Sequence, residues 1–236
     1  YTLASYLSPN FAVFSIFYFY SFYIKYKFSS ELFIIIILNI VLSLPAITYI
    51  FFTDNNFLMN TAFVVSEFEK PNTYNYFNKI LIISSLIFFY YIPFLYSENN
   101  LKKYFKLNNV LIASIILIIS ILNFDYNIIF TGGGIILKLS NLIFDNSILF
   151  YCFSFFSILF VAGISKINFR NFFLIFLLIL SNPQYTIYHK YYDPLLLILF
   201  LLIFDLEINK HKFFKLQNIL IFYSYFFLFL IANILR

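Results

Sequence analysis

Long apolar segments recur along the whole chain and constrain its fold more than any other feature. One of them runs without a charge from Phe33 to Phe52, and similar stretches follow up to the carboxyl terminus. Only 11% of the 236 residues are charged, whereas a soluble domain carries roughly 25%. So few charges cannot cover the surface of a chain that is 63% hydrophobic. The pattern excludes an ordinary soluble enzyme and a disordered segment, and it predicts a membrane protein.

We predict eight helices in these apolar segments. Their approximate ranges are 10–24, 32–52, 80–96, 109–124, 148–164, 171–182, 194–206 and 217–235. A bilayer span needs about 20 mainly apolar residues, and several of these segments are shorter. The sixth and seventh are the shortest, so they form either two helices or one broken or re-entrant element. The predicted fold class is all-α, a polytopic transmembrane helix bundle in which residues 1–236 form a single membrane domain.

The loops between these segments alternate in charge. The odd-numbered loops hold ten Lys and Arg residues and the even-numbered loops hold four. By the positive-inside rule, the odd loops are cytoplasmic and the loops at 53–79, 125–147 and 183–193 lie outside. Six of the ten acidic residues also fall on the predicted outer side. We therefore expect the polar chemistry of the chain on its extracytoplasmic face.

The third outer loop carries the densest cluster of polar and aromatic residues. Its predicted binding residues are Tyr188, His189, Lys190, Tyr192 and Asp193. One interpretation is a lipid-phosphate or sugar site, in which His189 and Lys190 bind an anionic headgroup and the tyrosines stack on sugar. The alternative is an interfacial belt, because Tyr, His and Lys routinely anchor helix ends at the membrane surface.

Three of the four glycines are adjacent in the second outer loop, at Gly132, Gly133 and Gly134. Glycine permits positive φ and close approach of a ligand, and a helix that begins there would direct free N–H groups at an anion such as phosphate. No Gly-Lys-Ser/Thr sequence accompanies them, which argues against nucleotide binding. The segment 135–144 is apolar on one helical face and is expected to lie along the membrane plane. The alternative is a flexible turn before that amphipathic helix.

Other polar residues give weaker signals. Glu67 and Glu69 in the first outer loop have no nearby His, so solvated loop charges are favoured over a metal pair. Asp125 and Tyr126 follow a helix end and are expected to be exposed. No charge lies firmly mid-helix, which argues against a proton-coupled transporter, and hydrogen bonding between helices explains Asn39. The basic residues are spread singly, so no nucleic-acid partner is predicted.

These features together resemble the GT-C superfamily of integral-membrane glycosyltransferases. Its members often carry a His-Lys or Arg-Tyr motif followed by Leu and Pro at an outer helix mouth. Residues 189–192 and Pro194 stand in that context, although Asp193 takes a place usually held by Leu or Phe. The likeness covers roughly residues 170–205 and otherwise rests on topology. It implies sugar transfer from a polyprenyl-phosphate-linked donor, with membrane lipid as a further partner, at the outer face of a bacterial inner membrane.

The resemblance leaves the catalytic residue and the cofactor open. In such enzymes the catalytic Asp or Glu lies in the first outer loop, after the first helix. Because residue 1 is Tyr and the only Met is Met59, we expect a C-terminal fragment whose catalytic carboxylate lies upstream. The sequence identifies no metal ligand, although a divalent metal ion stays an open alternative as a cofactor. It does not define the oligomeric state.

Two other classes of function are retained. One is a polysaccharide polymerase or ligase of the cell envelope, which usually depends on Arg in large outer loops; the outer loops here contain none. The other is a non-enzymatic lipid-sugar flippase or transport component.

Overall fold

The computed structural model shows a helical protein. It describes residues 10–52, 75–96, 101–126, 132–164, 168–181, 187, 192, 195–196, 199, 203–204 and 215–234. The α-helices are α1 (Asn10–Tyr26), α2 (Ser30–Phe52), α3 (Tyr76–Tyr96), α4 (Leu107–Leu122), α5 (Gly134–Phe144), α6 (Ile148–Ile164), α7 (Phe169–Leu180) and α8 (Leu216–Ile234), and a 3-10 helix, Leu101–Phe105, precedes α4. Over these residues there is no strand, so the all-α prediction is confirmed.

Seven of the eight predicted segments correspond to helices whose ends agree within four residues. The other segment, 194–206, lies mostly outside the described residues. Helix α5 is additional and occupies the second predicted outer loop. No helix in the described part of the chain is long and apolar enough to cross a membrane. The chain divides into two compact units: Tyr1–Tyr76 with Phe169–Thr186, and Phe77–Asn168 with Ile187–Arg236.

Unit 1 contains α1, α2 and α7. Helices α1 and α7 pack through aromatic rings, because Tyr20 lies 5.5 Å from Phe169 and 5.6 Å from Phe173 between ring centroids. In α2, the Asn39 side-chain amide donates to the Ile35 carbonyl at 2.7 Å. This hydrogen bond joins Asn39 to the preceding turn of its own helix, and its hydrogen bonding between helices stays a prediction.

In unit 2, helix α3 is enclosed by its neighbours. Its residues 81–83 and 86–87 are at most 2% exposed, as expected of a helix that is hydrophobic on every face. The Ser154 hydroxyl of α6 donates to the Leu81 carbonyl at 3.1 Å. Gly134, the first residue of α5, lies against α3, since a Cβ there would meet side-chain carbons of Leu86 and Ile82 at 3.4 and 3.5 Å.

A proline within α3 explains its contact with α8. Pro93 lacks the N–H that would bond to the Phe89 carbonyl four residues earlier. The Tyr225 hydroxyl donates to that carbonyl at 2.9 Å, and the Tyr225 and Phe89 ring centroids are 5.3 Å apart. A carbonyl freed by proline can be satisfied by a neighbouring helix, by a Ser or Thr side chain or by water, and here the Tyr225 hydroxyl of a neighbouring helix satisfies it.

Helices α2 and α4 each present an exposed apolar face. One face of α4 packs on α6 through Ala113, Ile158 and Leu159. The other face is 39% to 79% exposed and consists of Leu111, Ile112, Ile115, Ile118, Ile119 and Leu122. In α2 the residues more than half exposed include Phe33, Ile34, Ile37, Leu38, Ile40 and Val41. Contiguous apolar surface of this kind is typical of a protein face that contacts lipid or another protein.

Candidate functional site

The glycine turn, Gly132–Gly134, adopts a backbone conformation that other residues rarely adopt. The three φ angles are +103°, +80° and +80°, and Gly133 is the N-cap residue of α5. An L-residue with a side chain loses roughly 1–2 kcal/mol in the left-handed region. The positive φ angles of the turn that starts α5 therefore explain why three glycines are adjacent here.

The glycine turn contacts the third predicted outer loop at Ile187. The Gly133 N–H donates to the Ile187 carbonyl at 3.1 Å. A Cβ on Gly132 would lie 2.9 Å from that same carbonyl oxygen, so the two backbones approach closely. Ile187 is fully buried at this contact, two positions before His189. The structure thus joins the glycine turn to the segment that leads into the predicted polar cluster.

The first and second predicted outer loops are joined by Asn78 and Asp125. The Asn78 side-chain amide donates to the Asp125 carboxylate at 2.5 Å, and its oxygen accepts the Asp125 backbone N–H at 3.1 Å. Asn78 is 2% exposed, while Asp125 is exposed as predicted. Tyr126 was predicted to be exposed, and this is wrong: it is buried because its ring packs on the glycine turn, 2.8 Å from where a Gly133 Cβ would lie.

Lys79, next to Asn78, is buried in α3. The sequence counts it among the loop charges, but the helix begins at Tyr76 and the side chain is only 3% exposed. Burial lowers the pKa of the Lys79 ammonium group from its ordinary 10.5 to about 8. Burial therefore disfavours the charged form of the Lys79 side chain.

The predicted polar cluster is described only in part. Tyr188, His189, Lys190 and Asp193 lie outside the described residues. Tyr192 is 1% exposed, and its carbonyl accepts the Leu196 N–H at 2.8 Å. Tyr192 is thus a buried residue, and its role in stacking on sugar stays a prediction. Glu67 and Glu69 also lie outside the described residues.

The start of α5 is enclosed by protein at the point where the sequence suggests an anion. The Gly133 N–H is used by Ile187, and Gly134 lies against apolar side chains of α3. Where residues are described, no group of three or more His, Cys, Asp or Glu is placed to hold a metal ion.

Sequence reasoning did not find Asn78 and Lys79. Asn78 and Asp125 are 47 positions apart, and no motif connects them. The one available signal is that both polar residues directly precede the unbroken apolar segment of α3, which places them at a helix start.

No family model, curated protein or solved structure matches this chain, so the candidate site is argued from its own geometry.

Proposed function

We propose that this chain is part of an integral-membrane glycosyltransferase that transfers sugar from a polyprenyl-phosphate-linked donor at the outer face of the membrane. The observation that carries the proposal is the pair of links Asn78–Asp125 and Gly133–Ile187. Through them, all three loops expected outside contribute to one cluster. Loops on opposite sides of a hydrocarbon core about 30 Å thick could not meet in this way.

The exposed apolar faces support the membrane part of the proposal. Helix α4 contains no charged residue, and its face opposite α6 consists of exposed Leu and Ile side chains. In water, this face and the similar face of α2 would be aggregation-prone. In a bilayer they would contact lipid, and the few charges of the chain would lie at its two surfaces.

In the proposed site, His189 and Lys190 bind the phosphate of the donor. His189 is two residues from Ile187, and two residues of chain span at most about 7 Å. The hydrogen bond between the glycine turn and Ile187 therefore fixes where the segment that leads to His189 starts. Lysine and protonated histidine form charge-assisted hydrogen bonds with phosphate oxygens. Asp125 is an exposed carboxylate held by Asn78 in the same cluster. A carboxylate there would be suited to accept a proton from the acceptor hydroxyl.

Transfer of labelled sugar in membranes that contain the protein tests the proposal. We expect His189→Ala and Lys190→Ala to reduce transfer strongly. Asp125→Asn keeps an oxygen for Asn78 but removes the base, and it lowers the rate by about 100-fold or more if Asp125 is the base. The matched controls are His211→Ala and Lys212→Ala in a predicted cytoplasmic loop.

The outcomes separate the competing functions. Unchanged transfer in both the His189 and the Lys190 variant would remove these residues from the mechanism. Loss with those variants but not with Asp125→Asn would place the base elsewhere in the protein. Movement of labelled lipid-linked sugar across vesicles, without covalent change, would favour the flippase alternative.

Sidedness can be tested independently of activity. Cys152 is the only cysteine, so a Cys152→Ser background allows single-cysteine labelling. Asn108 and Asn123 are exposed residues at opposite ends of α4. We expect Asn123→Cys to react with an impermeant maleimide in intact cells and Asn108→Cys to react only after permeabilisation. The reverse pattern, or equal labelling, would contradict the topology.

A further inference from the structure

Asp125 is an exposed residue whose two neighbours in sequence are both anchored. It follows the end of α4 and lies between Phe124 and Tyr126. The Phe124 ring packs against Phe150 and Tyr151 of α6, with ring centroids 5.5 and 5.8 Å apart. Tyr126 is buried against the glycine turn. The residues on both sides of the exposed carboxylate are therefore held by packing within unit 2.

Asn78 holds both the main chain and the side chain of Asp125. Its oxygen accepts the Asp125 backbone N–H, and its amide donates to the Asp125 carboxylate. Asn78 lies in the first turn of α3, which begins at Tyr76, and it is only 2% exposed. Together the two bonds fix the orientation of the carboxylate as well as its position, because rotation of the Asp125 side chain would break the second bond while the first holds the backbone.

A purely structural link between α3 and the end of α4 does not need a carboxylate. The bond to the backbone N–H joins the two segments whichever side chain stands at position 125. The buried amide of Asn78 needs an acceptor, but the neutral oxygen of an asparagine at position 125 would supply one. Connection of the two segments therefore does not require a charged residue, whereas acceptance of a proton from an acceptor hydroxyl does.

We propose that Asn78 is a positioning residue for sugar transfer, which orients Asp125 toward the acceptor hydroxyl. A general base must lie about 2.6–3.2 Å from the atom whose proton it accepts, and a freely rotating carboxylate would spend little time at that distance. Hydrogen bonds from a buried, packed side chain supply the precision that such a group requires. The inference rests on the proposed function, since it takes Asp125 as the base.

Rates of sugar transfer in single and double variants test the role of Asn78. Asn78→Leu keeps the approximate size of the side chain and removes both hydrogen bonds. We expect it to lower kcat by about 10- to 100-fold, the effect that a misplacement of about 1 Å gives, and to leave KM for the donor unchanged. In an Asp125→Asn background the same substitution should cause no further loss of kcat, because Asn78 acts only through the carboxylate.

Asn109→Leu is the matched control. Asn109 is also a buried asparagine, 6% exposed, and its amide donates to the Tyr104 carbonyl at 3.2 Å near the opposite end of α4. We expect both leucine variants to have a lower melting temperature, but only Asn78→Leu to have a lower kcat. Asn78→Gln is a second variant with the same expected loss of kcat. It keeps the amide and displaces it by about 1.5 Å, one carbon–carbon bond, so the test does not depend on whether the leucine variant folds.

Three results would overturn the positioning role alone. Equal loss of kcat in the wild-type and Asp125→Asn backgrounds would show that Asn78 only supports the fold. Unchanged kcat in both Asn78 variants would show that the base needs no positioning. A loss of kcat in Asn109→Leu as large as in Asn78→Leu would show a general effect of lower stability. Failure of the proposed function is a different result and would overturn the positioning role with it: the wild-type protein would then transfer no sugar, or Asp125→Asn would transfer it at the wild-type rate.

Discussion

Replacing Tyr225 with phenylalanine removes one hydrogen bond and keeps the ring. The hydroxyl donates to the Phe89 carbonyl at 2.9 Å, the carbonyl that Pro93 leaves without its helical N–H. A typical hydrogen bond contributes about 0.5–1.5 kcal/mol, and a buried acceptor left unsatisfied costs about 1–3 kcal/mol. Because Tyr225 is half-buried, we expect Tyr225→Phe to lower the free energy of unfolding by about 1 kcal/mol.

A double-mutant cycle with Pro93→Ala tests the reason as well as the magnitude. Alanine at position 93 restores the N–H, so the Phe89 carbonyl no longer depends on Tyr225. We expect Tyr225→Phe to lower the melting temperature in detergent by about 2–4 °C in the wild-type background, and by clearly less in the Pro93→Ala background. Tyr223→Phe is the matched control, because Tyr223 is 69% exposed on the same helix. Equal loss in both backgrounds would refute the link between the proline and the tyrosine.

Four further substitutions test the glycine turn, the buried lysine and the end of α5. Gly134→Ala should destabilise the protein by about 1–2 kcal/mol through its positive φ alone. Gly133→Ala has the same φ of +80° but places its Cβ 2.8 Å from the Tyr126 ring, so it should lose a further 1–3 kcal/mol or so. Lys79→Met should stabilise the protein at pH 7 by about 1–2 kcal/mol, after allowance for solvent screening. Asp145→Gly should stabilise it by roughly 0.5–1 kcal/mol, because Asp145 ends α5 with a φ of +51°.

Thermal unfolding followed by circular dichroism in one detergent measures the stability of all four variants. Equal effects of the two glycine substitutions would contradict the contact with Tyr126. For Lys79 the pKa is about 8 in the folded chain and 10.5 ordinarily, so the unfolded chain binds more protons between these values. Wild-type stability should therefore gain from this residue as pH rises from 8 to 10.5, and Lys79→Met should lack that gain. A destabilised Asp145→Gly would show that the aspartate side chain makes a contact worth more than the strain.

The hydropathy pattern predicted the helices well because it depends only on residues that are close together in sequence. An apolar segment bounded by polar residues identifies α6 at the same bounds as the structure, Ile148–Ile164. Helix α5 was expected as an amphipathic segment after the glycines for the same reason. The candidate site was harder to predict, since Asn78 and Asp125 are 47 positions apart and meet only in three dimensions. Burial of Lys79 and Tyr126 likewise depends on neighbours distant in sequence, which hydropathy along the chain does not report.

The hydrogen bond from Tyr225 to the Phe89 carbonyl has a consequence for the order of synthesis. The two residues are 136 positions apart, and ribosomes add about 5–20 residues each second. Helix α3 is therefore made roughly 7–27 seconds before the residue that completes its broken hydrogen-bond ladder. During that interval the carbonyl has to be hydrated or to accept a hydrogen bond from another donor. Slowing translation ahead of α8 should lengthen the period in which newly made chains are open to proteolysis near Pro93.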